Sequence, residues 1–335
     1  FLFMRLELTN PAGLYIIKYN SCIQNTFCTG KAVYHSGFFG AVLNERAYIS
    51  MNEYRMKAYA KINLGLGVVG RLENGYHEVK MIMQTVGLYD ELELRKIPQG
   101  IELSIVDDVL PADESNLVYR AAKLMLETYR LPAGIAIRLR KNIPIAAGMA
   151  GGSTDAAAVL KAINRMFDLD CTLKELLLLG EKLGADVPYC VLGGTALAEG
   201  IGEKLSCLDP APDCYVLIAT PDIIVPTGYV YGELDKLGIA KHPDIDGMEE
   251  AIREESLQGV IDRLGNVLED VTIRKYPVIA VLKEEMCRLG ALGSLMSGSG
   301  PTVFGIFVNR TSAEEAFRVM KRNHPDTKVF LTTFN

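Results

Sequence analysis

Apolar and polar positions alternate from Lys57 to Leu66, the period of two expected of a half-buried strand. Glu73-Asn74-Gly75-Tyr76 follows, and its Asn-Gly pair signals a tight turn, so residues 57–94 read as a β-meander. Leu92-Glu93-Leu94 and Ile101 to Ile105 alternate again on either side of a Pro98-Gln99-Gly100 turn. The period then changes. Asn116 to Tyr129 carries apolar residues at Leu117, Ala121, Leu124 and Met125, the spacing of an amphipathic helix. A strand over Ile135–Leu139 precedes a helix over about 153–166 and another over 172–183. Further along, strands are predicted at 195–198, 214–219, 303–308 and 327–333, and helices at 248–264, 276–289 and 312–322. Strands and helices mix without strict βαβ alternation, which favours an α+β fold. A division near residue 210 separates domains over 56–210 and 211–335.

Composition narrows the classes. The chain has 335 residues, 49% of them hydrophobic, enough for two domains with a sizeable core. A net charge of −6 is the opposite of what a sequence-independent nucleic-acid binder carries, so nucleic acid is not expected as a partner. No apolar run of about 18 residues occurs, so no membrane span is expected. The seven cysteines form no Cys-x-x-Cys pair and sit mostly in apolar surroundings. Reduced, buried thiols and a cytoplasmic location are the expectation. Residues 1–55 show little periodicity and lack the order of a signal peptide. They read as a non-native or upstream extension, with a targeting segment as the alternative.

Four segments carry candidate chemistry. Pro144-Ile145-Ala146-Ala147-Gly148-Met149-Ala150-Gly151-Gly152-Ser153-Thr154 is a small-residue loop opening into an alanine-rich helix. Glycines admit close backbone approach, and a helix N-terminus offers N–H groups and a positive dipole end to an anion. No Lys follows the last glycine, so this is not a Walker A loop. A plain capped turn is the competing reading. Met296-Ser297-Gly298-Ser299-Gly300-Pro301 is a second such loop, suited to buttress the first. Lys61 and Asn63 share one face of the first strand, where an inward Lys needs a partner; a solvated Lys on an edge strand is the competing reading. Asp186, in Gly184-Ala185-Asp186-Val187-Pro188, could take a proton from a hydroxyl or simply form a turn.

In this order the four segments resemble the GHMP kinase superfamily, named for galacto-, homoserine, mevalonate and phosphomevalonate kinases. Ala60-Lys61-Ile62-Asn63, Asn74-Gly75-Tyr76-His77, Gly184-Ala185-Asp186 and Pro226-Thr227 with Tyr231 are similar to one branch of it. That branch phosphorylates the 2-hydroxyl of 4-diphosphocytidyl-2-C-methyl-D-erythritol in non-mevalonate isoprenoid synthesis. The resemblance spans residues 56–335. It implies an N-terminal domain like ribosomal protein S5 domain 2, a ferredoxin-like C-terminal domain, and ATP with Mg²⁺ as cofactors.

Carried over, Asp186 resembles the catalytic base or an orienting group, and Lys61 the cation that favours its ionised form. Pro144, Ala146, Ala147, Gly148, Met149, Ala150, Gly151, Gly152, Ser153 and Thr154 resemble the ATP-phosphate loop. Asn116, Leu117 and Lys141 resemble residues on the adenine side. Asn63, Thr227, Gly298, Ser299 and Gly300 resemble substrate-binding positions. Tyr76 and Tyr231 resemble two aromatics that sandwich the cytosine, and His77 the group that reads its edge. No carboxylate matches the Mg²⁺ ligand of some relatives, so the ion is expected near Ser153 and Thr154. A kinase for another alcohol, a non-catalytic sensor and an RNA-binding protein are the competing readings. The tyrosines with His77, the Lys61–Asp186 pair and the acidic charge respectively argue against them.

Overall fold

Two long strands organise the N-terminal half of the computed structural model, which describes residues 52–73, 75–237 and 242–335. Residues 1–51, with Cys22 and Cys28, and Asn74 of the expected turn lie outside the described residues. β1 (Glu53–Arg71) and β2 (His77–Ile97) pair antiparallel from Glu53 opposite Arg95 to Arg71 opposite His77. β1 therefore begins three residues ahead of Met56, where the motif pattern starts. Register shifts flank Lys61 and Asn63, at Tyr59/Lys61 and Asn63/Gly65. Such bulges re-aim side chains, and they recur beside functional sites.

β2 is long enough to serve two further strands. Glu91–Ile97 pairs with β4 (Gly134–Arg140), and Met81–Gln84 with β5 (Thr195–Glu199). β3 (Ile101–Ile105) runs parallel to β4, and β6 (Lys204–Cys207) antiparallel to β5. The helices α1 (Leu117–Thr128), α2 (Gly151–Met166), α3 (Leu173–Glu181) and α4 (Val187–Leu192) belong to the same half. Leu92, Leu94, Ile137 and Leu139 of the sheet pack with Ala157, Leu160 and Ile163 of α2.

The C-terminal half begins with β7 (Tyr215–Pro221), α5 (Thr227–Leu237), α6 (Ile245–Arg253), α7 (Leu257–Ile261) and β8 (Gly265–Asn266). It continues through α8 (Glu269–Lys275), α9 (Val278–Arg288), β9 (Gly293–Met296), β10 (Val303–Phe307), α10 (Arg310–Asn323) and β11 (Thr327–Thr333). Its sheet has the order β11-β7-β10-β9, all antiparallel. With α9 and α10 as crossovers this is the ferredoxin-like βαββαβ arrangement, and α5 to α8 are inserted after its first strand.

The division near residue 210 falls between β6 and β7, but packing crosses it. β8 pairs parallel with β1, Gly65 opposite Gly265 and Leu66 opposite Asn266. One core cluster joins Ile62, Leu64 and Ile82 to Val216, Ile218, Phe304 and Ile306.

Local chemistry explains where the structure departs from the periodicity. The helix expected over 248–264 is two helices, α6 and α7. Glu255 takes a left-handed φ of 53°, and the Ser256 hydroxyl caps α7 by accepting from the Gly259 N–H. Helix α5 was not anticipated, because Gly228 and Gly232 lower its intrinsic propensity. Of the described cysteines, Cys214 is buried, Cys171 and Cys190 are intermediate as whole residues, though the Cys190 thiol is shielded, and Cys207 and Cys287 are exposed. The expectation of mostly buried thiols is thus corrected. Among the described residues no helix is long and apolar enough to cross a membrane.

Phe304 is fully buried in the cluster shared by both sheets. Phe304→Ala is expected to lower the unfolding free energy by about 3–5 kcal/mol. Urea denaturation followed by circular dichroism measures this, and both halves should unfold in one transition.

Candidate active site

The loop between β4 and α2 is held by its backbone. Ala146, Gly148 and Ala150 have φ of 53°, 75° and 56°. Two alanines in the left-handed region cost energy that the surroundings must offset. The loop docks on the outer edge of β1, where the Lys61 N–H donates to the Met149 carbonyl at 3.2 Å. Ala150 supplies no side-chain cap, so the first N–H groups of α2 keep their capacity to bind an anion.

Gly148 is the point of closest approach to the second loop. A Cβ there would lie 2.3 Å from the Ser297 carbonyl oxygen, so only glycine fits. The Ser297 hydroxyl donates to the Gly148 carbonyl at 2.9 Å. Gly298 and Gly300 have φ of 57° and 88°. A Cβ on Gly298 would lie 3.7 Å from Asn63 Oδ1, which puts the loop beside β1. Asn266 braces the loop by donating to the Met296 and Gly298 carbonyls, each at 2.8 Å. Ser299 meets Thr227 hydroxyl to hydroxyl at 2.9 Å. The two glycine-rich segments, distant in sequence, thus form one wall.

Lys61 is 5% exposed and donates to Asn63 Oδ1 at 2.7 Å. Asp186 stands at the N-terminal cap of α4 without capping it by its side chain. Both charges act on Cys190, whose thiol is pushed up to about 12 by burial and Asp186, with Lys61 opposing. Asp186 also adds to burial in raising the Tyr231 hydroxyl to about 12. Lys61, Asp186 and Tyr231 therefore share one electrostatic neighbourhood.

Helix α5 supplies Thr227 and Tyr231, four residues apart and so on one face. The Tyr231 and His77 rings pack with centroids 4.8 Å apart and a 31° tilt. His77 Nε2 lies 2.6 Å from Asp235 Oδ1, and Arg71 lies 3.3 Å from the other oxygen. Tyr76 is 61% exposed beside them. Sequence reasoning missed Asp235, although its i+4 spacing from Tyr231 would have exposed it once α5 was recognised. It also missed Asn266, for which no motif spoke.

Three of the expected residues already hold partners within the fold. Thr154 is 4% exposed and its hydroxyl donates to the Tyr59 carbonyl at 2.7 Å, which anchors α2 on β1. Lys141 is buried between the Asp90 and Asp155 carboxylates, its ammonium 3.2 Å from where a Gly151 Cβ would stand. Asn116 caps α1, accepting from the Val118 N–H and donating to the Pro111 carbonyl. Its neighbour Leu117 does border the loop, 3.5 Å from where a Gly152 Cβ would stand.

The model of the GHMP kinases N-terminal domain matches residues 116–194, and that of the C-terminal domain residues 239–326. A 4-diphosphocytidyl-2-C-methyl-D-erythritol kinase of Lachnospira eligens is 51% identical over 284 residues, covering 84% of this chain and 98% of that relative. The chain belongs to the GHMP kinase family. A second GHMP kinase relative of the same name, from Clostridium botulinum, is 48% identical over 277 residues, covering 83% of this chain and 98% of its own length. A crystal structure of 4-(cytidine 5'-diphospho)-2C-methyl-D-erythritol kinase superposes with a TM-score of 0.74 at 33% identity, covering 84% and 99% of the two chains. The homoserine kinase of Cytophaga hutchinsonii reaches 0.67 at 22% identity over 85% of this chain and 95% of that one, a likeness of fold alone.

The buried cluster under this GHMP kinase loop has a pH signature. Burial pushes the Asp155 carboxyl up to about 8, against the pull of Lys141. Burial alone would lower the Lys141 ammonium, but Asp155 and Asp90 carry it above its ordinary value. From about 4, the ordinary carboxyl value, to about 8, the folded chain keeps a proton at Asp155 that the unfolded chain releases. Stability from this group therefore falls as pH rises through that window. Asp155→Asn removes the titration. Urea midpoints at about pH 5 and about pH 8 should show the variant gaining on the wild type as pH rises.

Proposed function

We propose that the chain transfers the γ-phosphoryl group of ATP to the 2-hydroxyl of 4-diphosphocytidyl-2-C-methyl-D-erythritol. The observation that carries this is the imidazole–aromatic pair of His77 and Tyr231 beside Asp186. An acceptor such as homoserine has no base to stack or read. The likeness to relatives named for this substrate supports the same reading.

The residues divide the work. The N–H groups at the start of α2, with Gly148, Gly151 and Gly152, hold the ATP phosphates. Asp186 takes the proton of the 2-hydroxyl, or orients it, as that oxygen bonds to the γ-phosphorus and the bond to ADP breaks. Lys61, positioned by Asn63, stabilises the charge developing on the oxygen. Tyr76 and Tyr231 stack on the cytosine, and His77 bonds its edge. Thr227, Gly298, Ser299 and Gly300 line the wall beside β1.

The donor set fits Mg²⁺ only in part. Among the described residues no group of three or more His, Cys, Asp or Glu side chains could hold a metal ion. The half-buried Ser153 in the first turn of α2 offers a hard oxygen ligand, and the nucleotide and water supply the rest. When bound, the ion neutralises charge on the phosphates.

The test is ATP consumption with Mg²⁺ on the cytidyl substrate and on the same alcohol without the cytidyl group. Turnover of the cytidyl compound alone is expected, and turnover of neither would sink the proposal. Asp186→Ala is expected to lower kcat by about 10²–10⁴-fold while calorimetry still detects ATP binding. His77→Ala should raise KM more than it lowers kcat, since it removes ground-state recognition.

A further inference from the structure

Asp235 holds His77 at Nε2. Thr227, Tyr231 and Asp235 recur every four residues along α5, so one helical face meets Ser299, the His77 ring and the His77 edge in turn. Tyr231 fixes the plane of the imidazole by packing. Asp235 fixes its rotation within that plane, because Oδ1 lies 2.6 Å from Nε2. The His77 side chain is 12% exposed. Arg71, at the end of β1, takes the other carboxylate oxygen at 3.3 Å.

The chemistry of this contact is directional. A carboxylate accepts and does not donate. A neutral imidazole bonded to it at Nε2 must carry its proton there, which leaves Nδ1 as an acceptor. Cytosine presents an exocyclic amine donor at the position where uracil presents a carbonyl acceptor. An Nδ1 acceptor matches the first and opposes the second.

We propose that Asp235 is a specificity-determining positioning residue, which locks His77 in the Nδ1-accepting tautomer and so selects a cytosine over a uracil substrate. The proposal rests on the cytidyl-substrate reading above. It makes base choice depend on a residue that touches neither base nor phosphate.

Asp235→Asn is the informative variant. Arg71 has only donors, so the amide oxygen turns to Arg71 and the amide NH₂ faces His77. Nε2 must then accept, and the proton moves to Nδ1. Two measurements on the full chain decide the matter. Imidazole ¹⁵N spectra, recorded without substrate, report which ring nitrogen of His77 carries the proton. Turnover of the cytidyl substrate and of its uridyl counterpart gives the ratio of their kcat/KM values.

The expected results are Nε2–H in the wild type, Nδ1–H in Asp235→Asn, and a cytidyl preference that falls by about tenfold or more, mostly through KM. Asp235→Glu keeps an acceptor and should restore part of the preference, which a merely structural role would not predict. Wild-type Nδ1–H, or an undiminished preference in Asp235→Asn, would overturn the proposal while leaving the substrate reading intact. No turnover of either compound by the wild type would overturn the substrate reading, and the selection with it.

Discussion

The contact between Gly148 and the Ser297 carbonyl is the constraint on which the site depends. With room for no Cβ, two backbones touch directly. One belongs to the loop that opens α2, the other to the turn between β9 and β10. Through that contact the N-terminus of α2 keeps a fixed relation to the ferredoxin-like sheet. Asn266 braces the turn from behind, and β8, which carries Asn266, pairs with β1. Lys61 on β1 is therefore tied to both loops: to the first by its own N–H and to the second through Asn63 and Asn266. Small side chains are the condition for this closeness, and flexibility is not the result.

Charge is distributed around this wall with some economy. Two carboxylates and one ammonium lie buried under the loop that opens α2. Were both carboxylates ionised, the cluster would carry a net negative charge beneath the start of α2. Burial favours a proton on Asp155, which lessens the negative charge beneath the positive end of α2. Asp90 meanwhile accepts from the Asn142 and Ile143 N–H groups, at 2.5 and 2.8 Å, and so sets where the loop begins.

Much of this was legible in the residues. Period-two alternation located β1, β3 and β4, and small-residue runs located both loops, because these patterns reflect local backbone needs. The α+β class and the family followed from order and motif. Side-chain partners were far less legible. Lys141 and Thr154 sit in or beside the motif, yet their polar atoms turn to Asp90, Asp155 and the Tyr59 carbonyl, which only the folded sheet brings near. Helix α5 was hidden by two glycines, and with it Asp235. The kink at Glu255 escaped because helical periodicity continues across it, and only backbone geometry and the Ser256 cap reveal the break.

The short pairing of β8 on β1 also bears on how the chain is made. Gly65 and Leu66 leave the ribosome about 200 residues before their partners at Gly265 and Asn266. Even from the end of β6 at Cys207, 59 residues must still be added before β8 is complete at Asn266. At bacterial and eukaryotic elongation rates that interval is roughly 3–12 s. Throughout it the N-terminal sheet has a strand edge not yet closed and a core face not yet met by Phe304. Lys61 thus reaches its final surroundings only when the last strands arrive.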